Sequence, residues 1–326
     1  MGLLLVSSSR IGERFPQRSE HLYRELKVLG HDVILIEAYD PIKGILGVLR
    51  HREVRCKIVS GFRAGFIALL LKPLIGEYFY DLVEWKADLC RDNWSGAKRV
   101  LIPLVELAEI MVIKKSRVTF NAGHTLLNPM LKKQRNVVIA ENGYNDRLFD
   151  PKKYDRAALR GRLGVNFPLV IFVGKLTPMY AKYLIPAIDA MTFLNKEFKN
   201  AELWIYGDGP CKKELQKRAR KGGGNVLFKG YIPHEKVPEI ITIADLGINA
   251  YRTESLKLRE WVAMGLPVLA PPEVEFPGVR NSKWVKEEIA SSIVEILKEG
   301  RKAPVKLNTW RETAEIIASE CKRLNR

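Results

Sequence analysis

Cysteine is scarce and scattered. The four, Cys56, Cys90, Cys211 and Cys321, lie far apart in a chain of 326 residues. There is no Cys-x-x-Cys and no metal-ligand spacing, so no disulfide framework or metal centre is expected to organise the chain. Buried reduced thiols in a cytosolic protein are the expected state. The five histidines (His21, His31, His51, His124 and His234) form no cluster. No apolar run approaches ~20 residues, so no transmembrane helix is expected. The GLLLVSSS run after Met1 is too short for a signal peptide and lacks a basic n-region. Acidic residues are in deficit, 37 against 54 basic ones, for a net charge of +17. Such an excess concerns partners rather than fold. It suits nucleic acid, an anionic membrane surface or phosphorylated ligands, and a basic or thermophilic surface would also give it. No recognition helix or aromatic stacking motif accompanies it, so nucleic acid is not expected as a partner.

What is present has globular composition, 47% hydrophobic, and is long enough for two domains of ordinary size. The reading centres on Tyr251 to Pro271, YRTESLKLREWVAMGLPVLAP. Leu258, Trp261 and Val262 stand at i, i+3, i+4, one apolar helix face. Thr253 or Ser255 can cap its start. Gly265 suits the helix end, Pro267 prevents continuation, and Val268-Leu269-Ala270 follows as a short buried strand. The helix N-terminus is available to an anion. By spacing alone, Lys257 and Glu260 also fit a solvated i,i+3 ion pair.

In the first half, Leu3 to Val6 reads as a buried strand running into Ser7-Ser8-Ser9. A helix around Gln17 to Leu29 and a strand from Val33 to Ile36 complete a βαβ opening, hence a parallel sheet. The loop from Ser8 to Arg14 carries one glycine, Gly12, and two arginines, Arg10 and Arg14, and by itself suits a solvated basic loop or a ligand contact. Pro41 to Gly76 mixes apolar clusters with many Lys and Arg and almost no acid. It fits either a surface in an anionic lipid interface or a buried βα unit with solvated lysines. Tyr78 to Trp94 holds Asp81, Glu84, Asp88 and Asp92. Leu101 to Ile113 reads as a helix with Leu104, Leu107, Ala108 and Met111 on one face. Arg117 to Asn121 and Val137 to Ala140 read as strands, followed by ENGYNDRLFDP from Glu141 to Pro151.

In the second half, Lys152 to Asn166 reads as a basic helical linker and Leu169 to Val173 as a fresh buried strand. Gly174-Lys175-Leu176 and the residues up to Lys182 form a basic loop before a helix. A cation, a glycine and a helix N-terminus are chemically apt for a diphosphate. AELWIYGDGP, Ala201 to Pro210, is a strand running into Gly-x-Gly-Pro at Gly207 and Gly209; alone this is weak evidence for a nucleotide. A strand from Val226 to Gly230 leads through Tyr231-Ile232-Pro233 to a short helix. Trp284 to Leu297 and Trp310 to Leu324 are amphipathic terminal helices.

In order and spacing these segments resemble the retaining glycosyltransferases of group 1, or family 4. KLREWVAMGLPVLA is similar to that family's donor signature, with Lys257, Glu260, Ala263, Gly265, Pro267 and Val268 in place. Arg252 stands where the family has a further Glu, and Glu254 is the nearest acid. Lys175 replaces an Arg and so keeps a point charge without bidentate contact. Tyr180 stands where relatives have a second Lys, for which Lys182 can substitute. Tyr80 and Asp81, and Asn142, Gly143, Phe149 and Pro151, also match family positions.

The resemblance implies an α/β protein of GT-B fold, two Rossmann-like domains facing across a cleft. The acceptor-side domain is expected over 1–155, joined by the C-terminal helix from about 305 to 326. The nucleotide-sugar domain is expected over 156–304. The implied activity is retaining transfer of a sugar from a nucleotide-diphosphate sugar to a glycan or lipid-linked acceptor. Lys175, Lys182, Glu254 and Glu260 are the implied catalytic set. Gly174, Lys175, Gly207, Gly209, Tyr231, Lys257, Leu258 and Glu260 are the implied nucleotide-binding set. No cofactor or metal is expected, because lysines supply the positive charge. A cytoplasmic protein is expected, and attachment to the inner face of a membrane is the alternative that the Pro41 to Gly76 stretch leaves open. The alternatives are an inactive scaffold of the same fold, a nucleotide-sugar-binding protein, and a nucleotide-sugar epimerase, against which the unclustered histidines argue.

Overall fold

The computed structural model describes residues 1–12, 17–123, 136–198, 200–222 and 224–324. Glu13, Arg14 and His124, which figure in the sequence reading, lie outside the described residues. Contacts divide the chain into two compact units, Met1–Gly143 with Asn308–Arg326, and Tyr144–Leu307. Each has a six-stranded parallel sheet with helices on both faces, the Rossmann-like α/β plan.

In the first unit the strands are β1 (Gly2–Ser7), β2 (Asp32–Glu37), β3 (Cys56–Ser60), β4 (Phe79–Leu82), β5 (Val118–Asn121) and β6 (Val137–Ile139). Their order is β2-β1-β3-β4-β5-β6. The helices are α1 (Arg18–Val28), α2 (Pro41–Arg50), α3 (Phe62–Ile75), α4 (Lys86–Asn93) and α5 (Ile102–Lys115). β1, β3, β4 and β5 are short and buried on both faces, as continuous apolar runs in a parallel sheet must be. One face of the sheet packs on α1 and the C-terminal helix, through Leu22, Leu26, Ala314 and Ile317. The other packs on α2, α3 and α5, through Val48, Ile67, Ala68 and Val112. The face of α5 shared by Leu104, Leu107 and Met111 points to solvent, while Glu109, Val112 and Ile113 face inward.

The second unit has β7 (Leu169–Val173), β8 (Glu202–Tyr206), β9 (Val226–Gly230), β10 (Leu246–Ile248), β11 (Val268–Ala270) and β12 (Val279–Asn281), in the order β12-β11-β10-β7-β8-β9. Its helices are α6 (Arg156–Arg162), α7 (Pro178–Glu197), α8 (Lys212–Gly222), α9 (Val237–Ile243), α10 (Leu256–Ala263) and α11 (Lys286–Glu299). The helix expected over Lys152 to Asn166 is shorter, because Pro151–Lys153 forms a 3₁₀ turn and Asp155 caps a new start by accepting from the Ala158 N–H. The last helix, α12 (Trp310–Leu324), belongs to the first unit, where its apolar face meets α1.

In both sheets the direction of winding reverses beside the first strand, between β1 and β3 and between β7 and β10. At such a point the loops after two adjacent strands leave toward opposite faces and open a crevice at their carboxyl ends.

Candidate functional site

The crevice of the second unit is bordered by the loops after β7, β8 and β10. Its floor is backbone. The Gly174 N–H donates to the Tyr206 carbonyl at 3.0 Å, and the Leu176 N–H to the Asp208 carbonyl at 2.9 Å. Two loops this close leave no room for a side chain. A Cβ on Gly207, which sits at φ +140°, would lie 1.8 Å from the Gly174 carbonyl oxygen; one on Gly209 would lie 2.4 Å from that of Leu176. Those glycines therefore let the β7 loop be laid down beside the β8 loop. Thr177, at the N-terminus of α7, has a buried hydroxyl with no hydrogen-bond partner among the described residues.

Lys257 enters from the first turn of α10. Its ammonium donates to the Val173 carbonyl at 3.2 Å and lies 4.3 Å from the ring centroid of Phe172, 5.3 Å from that of Tyr180 and 5.4 Å from that of Trp261. Desolvation by these rings lowers its pKa to about 7. Lys257 thus touches the end of β7 from the far side of the chain, next to Gly174. Tyr180, at the family's second Lys position, contributes a ring to this wall and lies tilted against Tyr251, with ring centroids 5.6 Å apart.

Glu260 does not pair with Lys257, so the surface i,i+3 ion pair that spacing allowed is not formed. Its Oε1 lies 2.9 Å from His234 Nε2. Burial disfavours the imidazolium, but the hydrogen bond and charge of Glu260, with Glu235, outweigh it and raise the His234 pKa. Phe149, from the ENGYNDRLFDP segment, packs on the same imidazole at 5.3 Å. His234 is a site residue that the sequence reading passed over. Its signal was the Pro233-His234 step directly after the loop beyond β9.

The other expected residues divide. Leu258 is fully buried and anchors α10 in the core, with its N–H donating to the Ser255 carbonyl. Ser255, not Thr253, is the N-cap residue, and its side chain makes no capping bond. Asn249, fully buried after β10, holds the intervening loop by donating to the Tyr251 carbonyl at 2.8 Å; this too was not anticipated. Glu254 accepts from Arg259 Nε at 2.9 Å and Nη2 at 2.6 Å, and that guanidinium is fully buried. Lys175, Lys182 and Tyr231 are exposed, and the Lys182 ammonium lies over the Tyr183 ring. The structure therefore gathers Gly174, Lys257, Gly207 and Gly209 at the carboxyl ends of β7, β8 and β10. Glu260 lies one helical turn further along α10, and His234 meets it from the segment just before α9.

In the first unit a cavity of about 410 Å³ lies at the other reversal point, lined by Ser8 and Ser9 after β1, Ser60 and Gly61 after β3, and Arg63 and Phe66 of α3. Arg18 forms part of its wall. Buried with Asp81, it donates through Nη2 at 2.8 Å and Nε at 2.9 Å, and through Nη1 to Asn142 at 3.1 Å. Ser60 also donates to Asp81, at 2.7 Å. Asp81 and Asn142, singled out in separate motifs, are thus joined by one arginine. Glu84 and Lys86 also line the cavity. Among the described residues, no group of three or more His, Cys, Asp or Glu is placed to hold a metal ion.

Residues 167–299 match the family described as "Glycosyl transferases group 1", a span that contains every residue of the second-unit site except Phe149. No curated protein matches the chain. Among solved structures, a sucrose-phosphate synthase from Thermosynechococcus elongatus superposes with a TM-score of 0.72 at 13% identity, covering 99% of each chain. HepE from Anabaena, in complex with UDP, gives 0.68 at 16% identity over 100% of this chain and 97% of its own. UDP-GlcNAc 2-epimerase from Neisseria meningitidis, bound to UDP-GlcNAc, gives 0.60 at 12% identity over 99% of this chain and 100% of its own. At these identities the solved structures establish the fold, GT-B. The family match supports a glycosyltransferase.

Proposed function

We propose that this protein transfers a sugar from a nucleotide-diphosphate sugar to an acceptor with retention of configuration, and that the donor is a uridine nucleotide. The observation that carries the reading is Lys257. Its ammonium stands at the end of β7 beside Gly174, where loops from β7, β8 and β10 meet. Developing negative charge on a diphosphate leaving group needs preorganised cations and N–H donors, and this crevice supplies them. The start of α10 offers backbone N–H groups and the positive end of the helix dipole. The Thr177 hydroxyl offers a donor at the start of α7. Lys175 adds charge from the exposed side of the loop after β7, and Lys182, which lies in α7 and not in the loop expected up to it, adds charge from near the start of that helix. Glu260, oriented by His234, accepts from the ribose hydroxyls. The uridine assignment rests on HepE structures that hold UDP and UDP-glucose.

The reaction we assign has no protein nucleophile. The acceptor attacks the face from which the diphosphate leaves, and the leaving phosphate takes its proton. Lysines provide the counter-charge, so transfer is expected to persist in EDTA. The first unit takes the acceptor, a glycan or a lipid-linked sugar, at the cavity walled by Arg18 and Glu84.

One observation favours a second reading, a nucleotide-sugar-binding protein without transfer: the Glu254 carboxylate is engaged by the buried Arg259 instead of facing a sugar. Thermal shift with a panel of UDP-, GDP- and ADP-sugars tests donor binding, because a ligand of the folded state raises Tm by mass action. A rise with UDP-sugars that Lys257→Met removes supports the site. No rise with any nucleotide sugar overturns it. UDP release over hours from the bound donor, with water taking the sugar in place of the acceptor, supports transfer chemistry; its absence with intact binding favours the second reading.

A further inference from the structure

We propose that the outer face of α2, α3 and α5 in the first unit is a docking surface for an anionic lipid bilayer. This inference goes beyond donor chemistry and stands on a different part of the molecule. The three helices are neighbours in one layer, and their inward residues fill the same core. Their outward residues should be polar in a solvated α/β domain. Many are large and apolar instead. On α2 the outward positions Ile42 and Leu46 are 70% and 62% exposed. On α3, Phe66, Leu70 and Leu74 recur every four residues along the outer side, the last two each 63% exposed. On α5, Leu104 and Leu107 are 62% and 58% exposed, and Met111 continues the row. Just before α5, Val100 and Leu101 add to it.

Scattered exposed leucines need no explanation, but a whole helical layer of them does. Elsewhere the outer surface is ordinary. The solvent side of α11 carries Glu287, Glu288, Glu295 and Lys298, and α12 is likewise mixed in sign.

The charge around the apolar face selects its partner. Residues 41–75 hold seven lysines and arginines and a single acid, Glu53. Lys43 and Arg50 on α2, Arg63 on α3, Lys98 and Arg99 before α5, and Lys114 at its end are exposed. The acids of α5 are engaged: Glu106 pairs with Arg91, and Glu109 is buried against the start of α4. An apolar face fringed by cations lies in a lipid interface whose headgroups are negative, with leucines below the phosphates and lysines among them. Among the described residues no helix is long and apolar enough to cross a membrane. Phe66 and Arg63 belong both to this face and to the wall of the first-unit cavity. Docking therefore brings the cavity rim to headgroup level, where a lipid-anchored acceptor presents its polar end.

The test is co-sedimentation of the whole protein with vesicles of phosphatidylcholine alone and of phosphatidylcholine with 30% phosphatidylglycerol. It uses the wild type and the double variant Leu46→Glu/Leu70→Glu. These side chains are exposed, so the variant should keep the wild-type Tm, which is measured alongside. The expected result is binding to the anionic vesicles, at least tenfold weaker in the variant and several-fold weaker in 0.5 M salt. Failure of the wild type to bind anionic vesicles, or equal binding by the variant, overturns the proposal. So does a wild-type dimer in sedimentation velocity that the variant dissociates, since a second copy would then be the occupant. No sugar chemistry is read, so the outcome is independent of the transferase assignment.

Discussion

Lys257 makes a quantitative prediction about protons. With its pKa at about 7, the side chain is roughly one-tenth charged at pH 8. A diphosphate placed against the ammonium adds two nearby negative charges and raises its pKa toward the ordinary lysine value or above. Binding of UDP-glucose at pH 8 should therefore take up about 0.9 proton, against about 0.5 at pH 7 and near 0.1 at pH 6. By linkage, donor affinity should fall nearly tenfold for each pH unit above 8. UDP-glucose is the right ligand because its diphosphate is a diester and lacks the second phosphate pKa near 6. The assay is isothermal titration calorimetry at pH 8 in buffers of differing ionisation enthalpy, where the slope of observed enthalpy gives the proton number. Lys257→Met should bind more weakly and lose the slope. Tight binding with zero slope, or a slope that survives in Lys257→Met, refutes the placement. The same depressed pKa fixes the sign for the unliganded protein. Between pH 7 and 10.5 the unfolded chain binds the extra proton, so this residue's contribution makes the fold more stable as pH rises.

Four other outcomes follow from the geometry. Glu260→Ala should weaken UDP-sugar binding by about 1.5–3 kcal/mol, the worth of a hydrogen bond to a charged group, and should lower the His234 pKa in an NMR titration. Asp81→Ala strands the buried Arg18 guanidinium and should cost about 3–5 kcal/mol in urea unfolding. Gly207→Ala forces a methyl group onto the Gly174 carbonyl, so a loss of about 2 kcal/mol or more in stability should accompany loss of donor binding in calorimetry. Burial raises the Glu109 pKa to about 7. Its contribution should therefore decline as pH rises from about 4.5 to 7, and Glu109→Gln should flatten that part of the stability profile.

The sequence alone determined the architecture. Buried parallel strands must be short apolar runs, helices between them must show a period of 3.6, and glycines must stand where loops turn or touch; all three are local. The Gly207 and Gly209 positions, the Lys257 helix and the following Val268 strand were legible for that reason. Only the tertiary structure decided which charged groups meet. Glu260 and His234 are 26 residues apart, and Arg18 holds Asp81, 63 residues away, together with Asn142, 124 away. No periodicity records such distances. Nor did periodicity tell which side of an apolar helix faces the core. Leu104, Leu107 and Met111 form as regular a stripe as any buried one, and the sheet instead takes Val112 and Ile113 on the other side. A helix that is apolar on both sides carries no sequence mark of its inward face, because the choice belongs to the strands it packs against.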